Sequence, residues 1–277
     1  MIRHRLLTLA AVAVAVSACN NDTGGTTTAV VPLAYVRYIN AIPDTVAVAF
    51  RFVDALENSP SFFNANFRDF QTYQAVSVGK PRHLKVFLDP NCAAVGCSAA
   101  VSSTVVWDTT ATFTSNTYYT VILTGFKKSG APAFSGYILT DNVPTPTTAQ
   151  VALRFFHAAA GIGNVDAYQR TGTAAAPGTI FASNVPYLGS SAYSTLAPAA
   201  TLKVLVALTG TTTALADVTA PAGAAGTTTT GPVGGSNFGG TAMTAIFVNR
   251  SSAATGAPQA YTTPSVVFVV DRRPPTP

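Results

Sequence analysis

The sequence predicts an all-β protein: two tandem antiparallel β-sandwiches behind a cleaved leader and a flexible tether. Three observations carry that prediction. Composition favours strands, because Thr, Val, Ala, Gly and Tyr dominate and charged residues make up only 10%, with Glu57 the sole glutamate. Apolar and polar residues alternate with period two in several short runs, without any long helical periodicity. The chain also repeats itself. Val36-Arg37-Tyr38-Ile39-Asn40-Ala41 returns as Leu153-Arg154-Phe155-Phe156-His157-Ala158, and Leu84-Lys85-Val86-Phe87 returns as Leu202-Lys203-Val204-Leu205.

The first element is a leader. Met1-Ile2-Arg3-His4-Arg5 is basic, residues 6–16 are apolar, and Ser17-Ala18 are small. An apolar helix of that length spans roughly 16 Å, about half of a ~30 Å bilayer core, so it suits export better than a permanent span. Val16-Ser17-Ala18-Cys19 resembles the bacterial lipobox, in which cleavage precedes a cysteine that carries the lipid. That resemblance implies residues 1–18 as a lipoprotein signal peptide and Cys19 as the lipidation site. Ordinary secretion with a free Cys19 thiol, or an uncleaved anchor, are the alternatives. Residues 19–31 lack large apolar side chains at their start and are rich in Gly and Thr, so they read as a lipid-anchored flexible tether.

The first sandwich is expected over 32–143. Val36 and Tyr38 should face its core, with Arg37 pointing out. Val46, Val48, Phe50 and Phe52 alternate with Ala47, Ala49 and Arg51, and Leu84, Val86 and Leu88 alternate with polar neighbours. Further strands are expected at 102–107, 117–124 and 135–141. Phe63, Phe67 and Phe70 lie at helical spacing within an aromatic cluster at 62–73, which predicts a short helical turn covering one end of the sandwich. Cys92 and Cys97 are an even pair at short spacing in an exported chain, so a disulfide is expected there. Residues 143–148 are Pro- and Thr-rich and read as a linker. The second sandwich is expected over 149–273, with strands at 150–157, 164–170, 201–208, 243–248 and 265–271. A Gly/Thr/Ala-rich insertion occupies 221–240.

The second copy carries Leu153-Arg154-Phe155-Phe156-His157-Ala158, Val165-Asp166-Ala167-Tyr168 and Asn184-Val185-Pro186-Tyr187. These residues resemble the domain-of-unknown-function family numbered 4397, found in bacterial envelope and surface proteins, often in tandem. The first copy departs from that pattern. Asn40 replaces the His, Ala47 stands where the Asp is expected, and no Asn-Val-Pro-Tyr follows. The resemblance implies immunoglobulin-like sandwiches and no particular chemistry.

Candidate sites are few. His83 should sit on a wet strand face, and His157 should point inward, where its hydrogen-bonding role could equally be filled by Asn40 in the first copy. Asp166 should face out, as a ligand contact or a turn cap. Asp141 and Asp271 recur after apolar strands and read as strand-end turn formers. Gly234-Gly235-Ser236-Asn237-Phe238 and Gly161-Ile162-Gly163 are near misses of a nucleophile elbow and a dinucleotide loop. No cofactor, metal or catalytic residue is implied. The net charge of +5 includes Arg3 and Arg5 of the leader, and the remaining basic residues are scattered, which disfavours nucleic acid. The expectation is a non-enzymatic envelope lipoprotein, exported and held at the outer membrane or cell surface, with a membrane contact through its lipid and an envelope protein or glycan as partner. A carbohydrate- or polymer-binding accessory protein is the alternative. A hydrolase would require an exposed His157 within reach of a hydroxyl and a carboxylate.

Overall fold

The computed structural model describes residues 31–54, 61–89, 104–128, 130–172, 177–227, 229–251 and 261–275. Those residues form sixteen strands and no helix. Leu33–Pro277 is one compact unit.

The first half contains β1 (Leu33–Ala41), β2 (Val48–Phe52), β3 (Ser61–Ala65), β4 (Gln74–Ser77), β5 (Arg82–Leu88), β6 (Val105–Ala111), β7 (Tyr118–Thr124) and β8 (Ser135–Asp141). The second contains β9 (Val151–His157), β10 (Val165–Thr171), β11 (Thr179–Val185), β12 (Ser194–Leu196), β13 (Leu202–Leu208), β14 (Ala214–Thr219), β15 (Ala242–Val248) and β16 (Ser265–Arg272). Sheet order is β4-β1-β7-β8 with β3-β2-β5-β6 in the first half, and β12-β9-β15-β16 with β11-β10-β13-β14 in the second. Every strand therefore corresponds to the one eight places later. The all-β expectation and its two sandwich-like halves hold, and the internal repeat is a repeat of topology. Both halves also share one parallel pair, β1 with β7 and β9 with β15, among antiparallel neighbours.

Each half closes on its own core. Tyr38, Phe50, Leu84, Val86 and Val121 fill the first, with Tyr38 and Phe50 stacked at 4.8 Å. Leu153, Phe155, Val165, Val204 and Phe247 fill the second. A third apolar cluster lies between the halves. Ile39 and Ile122 from the first half meet Phe156, Ile246, Val248 and Val269 from the second. The β1 and β9 sheets are thus covered on both faces, and the β3 and β11 sheets form the outer layers. Strands buried on both faces read as unbroken apolar runs, as Val121-Ile122-Leu123 and Ala245-Ile246-Phe247-Val248 do.

Five strands lie outside the sequence expectations: β3, β4, β11, β12 and β14. Four of them border only one neighbour each at a sheet edge, β3, β4, β11 and β12, and β14 is an edge strand too. Edge strands are short and half wet, so their pattern is weak. The expected helical turn at Phe63–Phe70 does not form. Ser61–Ala65 is strand β3, followed by a turn in which Arg68 has a left-handed φ of 75°. Helical spacing there was coincidental, because Phe62 packs on Phe50 across β2 and fixes a period of two.

Candidate functional site

The strongest polar constellation sits at the seam between the halves. β1 carries Arg37, whose side chain points away from its own core, as expected, but into the second half rather than into water; it is 1% exposed. Its Nη1 donates to Asp271 Oδ1 at 2.6 Å and its Nε donates to Thr120 Oγ1 at 2.7 Å. The corresponding Arg154 on β9 donates through Nη2 to Asp141 Oδ1 at 2.7 Å and through Nε to Thr244 Oγ1 at 3.1 Å. Each arginine thus reaches the aspartate of the other half. The exchange is the reciprocity of a two-fold interface, here inside one chain.

The aspartates are fully engaged. Asp271 also accepts from Tyr193 Oη at 2.8 Å and Thr244 Oγ1 at 2.8 Å. Asp141 also accepts from Tyr73 Oη at 2.8 Å and Thr120 Oγ1 at 2.5 Å. The Arg37 guanidinium lies over the Tyr73 ring at 4.5 Å, and that of Arg154 over Tyr193 at 4.9 Å. Burial by itself would lower the pKa of Arg37, but Asp271, Tyr73 and Asp141 outweigh it and hold that pKa above its usual value. The same balance, led by Asp141 against burial, raises Arg154. Burial and the nearby carboxylates push both Tyr73 and Tyr193 up, so their hydroxyls stay protonated donors. A cavity of about 270 Å³ lies beside the network, walled by Ile122, Leu139, Phe156 and Ile246. The network holds two cations against two anions with every carboxylate saturated. It has no nucleophile poised against a base, and its chemistry is that of a clasp.

Asp141 and Asp271 therefore do not form strand-end turns. Asp141 ends β8 opposite Tyr118, Asp271 sits at a register shift one residue before the end of β16, and both are buried.

His157 is buried, as its strand parity implies. Nδ1 accepts from Ala159 N at 3.2 Å and Nε2 bonds Gly163 O at 3.0 Å. A carbonyl accepts only, so Nε2 carries the proton of a neutral ring, and burial lowers its pKa. Asn40 does the same work in the first half: Oδ1 accepts from Ile42 N at 3.1 Å and Nδ2 donates to Ala65 O at 2.9 Å. The ring nitrogens of His157 face backbone, so the exposed triad geometry a hydrolase would need is not built there.

Asp166 does not face solvent. It is 5% exposed and accepts from Asn184 N at 2.7 Å and Gly210 N at 3.0 Å, capping two turns. Ala49, rather than Ala47, stands at that place in the first half, and Asp89 Oδ2 takes over by accepting from Asn64 N at 2.6 Å. Asn64 and Asn184 share a left-handed φ of 49°. Asn64-Ala65-Asn66-Phe67 is thus the first-half counterpart of Asn184-Val185-Pro186-Tyr187, a match hidden because only the asparagine is identical. His83 behaves as expected on a wet face, pairing with Asp108 at 2.6 Å.

Residues 34–168 match the family described as Domain of unknown function (DUF4397). The chain carries a DUF4397-like domain. Comparison with curated proteins gave no match. The DUF4397 match covers the whole first half and continues through β9 into β10. It contains Arg37, Tyr73, Thr120, Asp141 and Arg154, and stops short of Tyr193, Thr244 and Asp271. The remainder of the second half is tied to DUF4397 only by the repeated topology.

The aromatic cluster beside the DUF4397 seam is divided among four environments. Phe62 joins the core, Phe67 packs edge-on to Tyr261 at 5.7 Å in the seam, and Tyr73 belongs to the network. Phe63 is 54% exposed on the outer face of the β3 sheet, with the Arg51 guanidinium between it and Phe87 at 4.8 and 5.2 Å. Cys19, Cys92 and Cys97 lie outside the described residues. Among the described residues, no three His, Cys, Asp or Glu side chains gather as a metal site.

Proposed function

We propose that this chain is a non-enzymatic envelope lipoprotein, lipidated at Cys19, that presents a stiff double sandwich as an interaction module. The observation that supports this reading is the reciprocal clasp. Buried Arg37 and part-buried Arg154 both join the halves, which suits a rigid body meant to hold its outer faces in fixed relation. The lipobox-like Val16-Ser17-Ala18-Cys19 and the Gly/Thr tether support its placement on a membrane, and Asn20 favours the outer one. Two or more acyl chains give stable attachment where one gives marginal binding. An immunoglobulin-like kinship is the finer form of the fold reading, supported by two-layer antiparallel packing in each half. The Cys92–Cys97 disulfide is a further proposal, supported by spacing and export.

The test is membrane fractionation of wild type and Cys19→Ala, with crosslinking to envelope partners in intact cells. The variant should leave the membrane fraction, and a defined envelope protein should be captured by wild type. Retention of Cys19→Ala with membranes would end the anchoring claim. One observation favours the alternative, a glycan- or polymer-binding accessory protein: exposed Phe63 lies beside Arg51 and Phe87 on a sheet face. Aromatic and cationic surfaces of this kind suit stacking. Loss of polymer retention in Phe63→Ala would favour that reading.

A further inference from the structure

We propose that the open end of the second sandwich is a binding pocket for a neutral, hydroxyl-bearing small molecule. The halves correspond strand for strand, so the first half displays what fills the same space when it is closed. Matching register shifts align Val48 and Phe50 with Val165 and Ala167, and Val86 and Phe87 with Val206 and Ala207, so Phe52 corresponds to Gln169. Phe52 pairs with Leu84 where Gln169 pairs with Val204. Two residues before Leu84 and Val204 stand Arg82 in one half and Leu202 in the other.

The first half is plugged. Phe50 stacks on Tyr38 and on Phe62, and Phe52 meets Phe113 edge-on at 5.8 Å. The Arg82 guanidinium closes over Phe52 at 4.8 Å and is held by Asp54 at 2.8 Å and Ser77 Oγ at 2.9 Å. The second half replaces Phe52 and Arg82 with Gln169 and Leu202. A cavity of about 570 Å³ lies there, between the β10–β11 end of one sheet and Leu196 of the other. Ligand pockets commonly measure about 300–1,000 Å³.

The lining states the chemistry. Leu196, Pro198 and Leu202 make an apolar wall, and Thr171 and Thr179 bring hydroxyls to the rim. The Gln169 amide oxygen is buried and accepts no hydrogen bond. A buried acceptor without a donor is unfavourable, and an O–H or N–H on a ligand would satisfy it. No acidic residue lines the cavity, and Arg170 at its border is tied to Asp217. The occupant is therefore neutral, with an apolar side and at least one donor. A sugar end and the head of a hydroxylated amphiphile share that chemistry. The pocket does not depend on membrane anchoring.

The test is a titration of the full chain carrying Cys19→Ala, followed by NMR at the Leu196 and Leu202 methyls and the Gln169 side-chain amide. The probes are methyl β-glucoside and octyl β-glucoside, the latter below its micellar concentration. Saturable shifts with methyl β-glucoside assign a sugar end, and shifts with octyl β-glucoside alone assign an amphiphile; both support the pocket. Gln169→Phe/Thr171→Phe, which fills the space that Phe52 and Arg82 occupy in the first half, should weaken binding at least about tenfold. Thr179→Phe serves the same purpose from the edge strand where the double variant does not fold. Absence of saturable shifts with both probes, or a plugged variant weakened less than tenfold, overturns the proposal.

Discussion

Arg37→Leu is the sharpest test of the clasp. The substitution removes the donors that reach Asp271 at 2.6 Å and Thr120 at 2.7 Å, and it removes the cation 3.7 Å from Asp141. Asp271, whose side chain is fully buried, then keeps only Tyr193 and Thr244 as donors and carries an uncompensated charge. Breaking a buried pair from one side costs about 3–5 kcal/mol. For a body of this size each kcal/mol lowers Tm by about 2–4 °C, so a fall of about 6–20 °C is expected. Adding Asp271→Asn removes the stranded charge and keeps an acceptor for Tyr193 and Thr244. The double variant should therefore recover about 1–3 kcal/mol relative to Arg37→Leu alone. Calorimetry and urea unfolding of the Cys19→Ser background would measure both. A loss below about 1 kcal/mol in Arg37→Leu, or a double variant whose losses simply add, would refute the reasoning.

Three further outcomes are expected. Burial lowers the folded pKa of His157 below its unfolded value of about 6.5, so the unfolded chain binds the extra proton first and stability falls as pH drops through about 6.5. Tm measured at pH 7.5 and 5 should show that fall in wild type and lose part of it in His157→Asn, which installs the first-half solution. Asp166→Ala strips the acceptor from Asn184 N and Gly210 N, and urea unfolding should register a loss of about 1–3 kcal/mol. Gly136→Val would drive a side chain into the Trp107 ring, so overpacking should cost about 1–3 kcal/mol. Trp107 is the only tryptophan, and its emission should shift as the ring is displaced.

Much of the fold was legible because period-two alternation is a local property. Strands such as β5, with Leu84, Val86 and Leu88 on one face, announce themselves. The edge strands did not, since β12 has three residues and β3 carries aromatics on both faces. The seam was partly written in the sequence as well: the unbroken apolar runs of β7 and β15 signal sheets covered on both sides, and an arginine repeated at the centre of such a strand signals a buried partner. Reading Arg37 only as pointing out of its own core left its partner unnamed, because alternation reports only which side of its own sheet a residue takes. His157 and Asn40 were read correctly in role, since their place at the strand end allowed a hydrogen-bonding side chain of either kind.

The sequence by itself determined the strand-rich body, its duplication and the boundaries of most central strands. Those follow from composition and short-range order along the chain. Only the tertiary structure decided that Arg37 answers Asp271 while Arg154 answers Asp141, that Asp166 caps turns, and that one sandwich end is plugged and the other open. Such pairings join residues more than a hundred positions apart in the case of Arg37, and contact across that distance is set by packing of whole sheets, which local pattern does not encode.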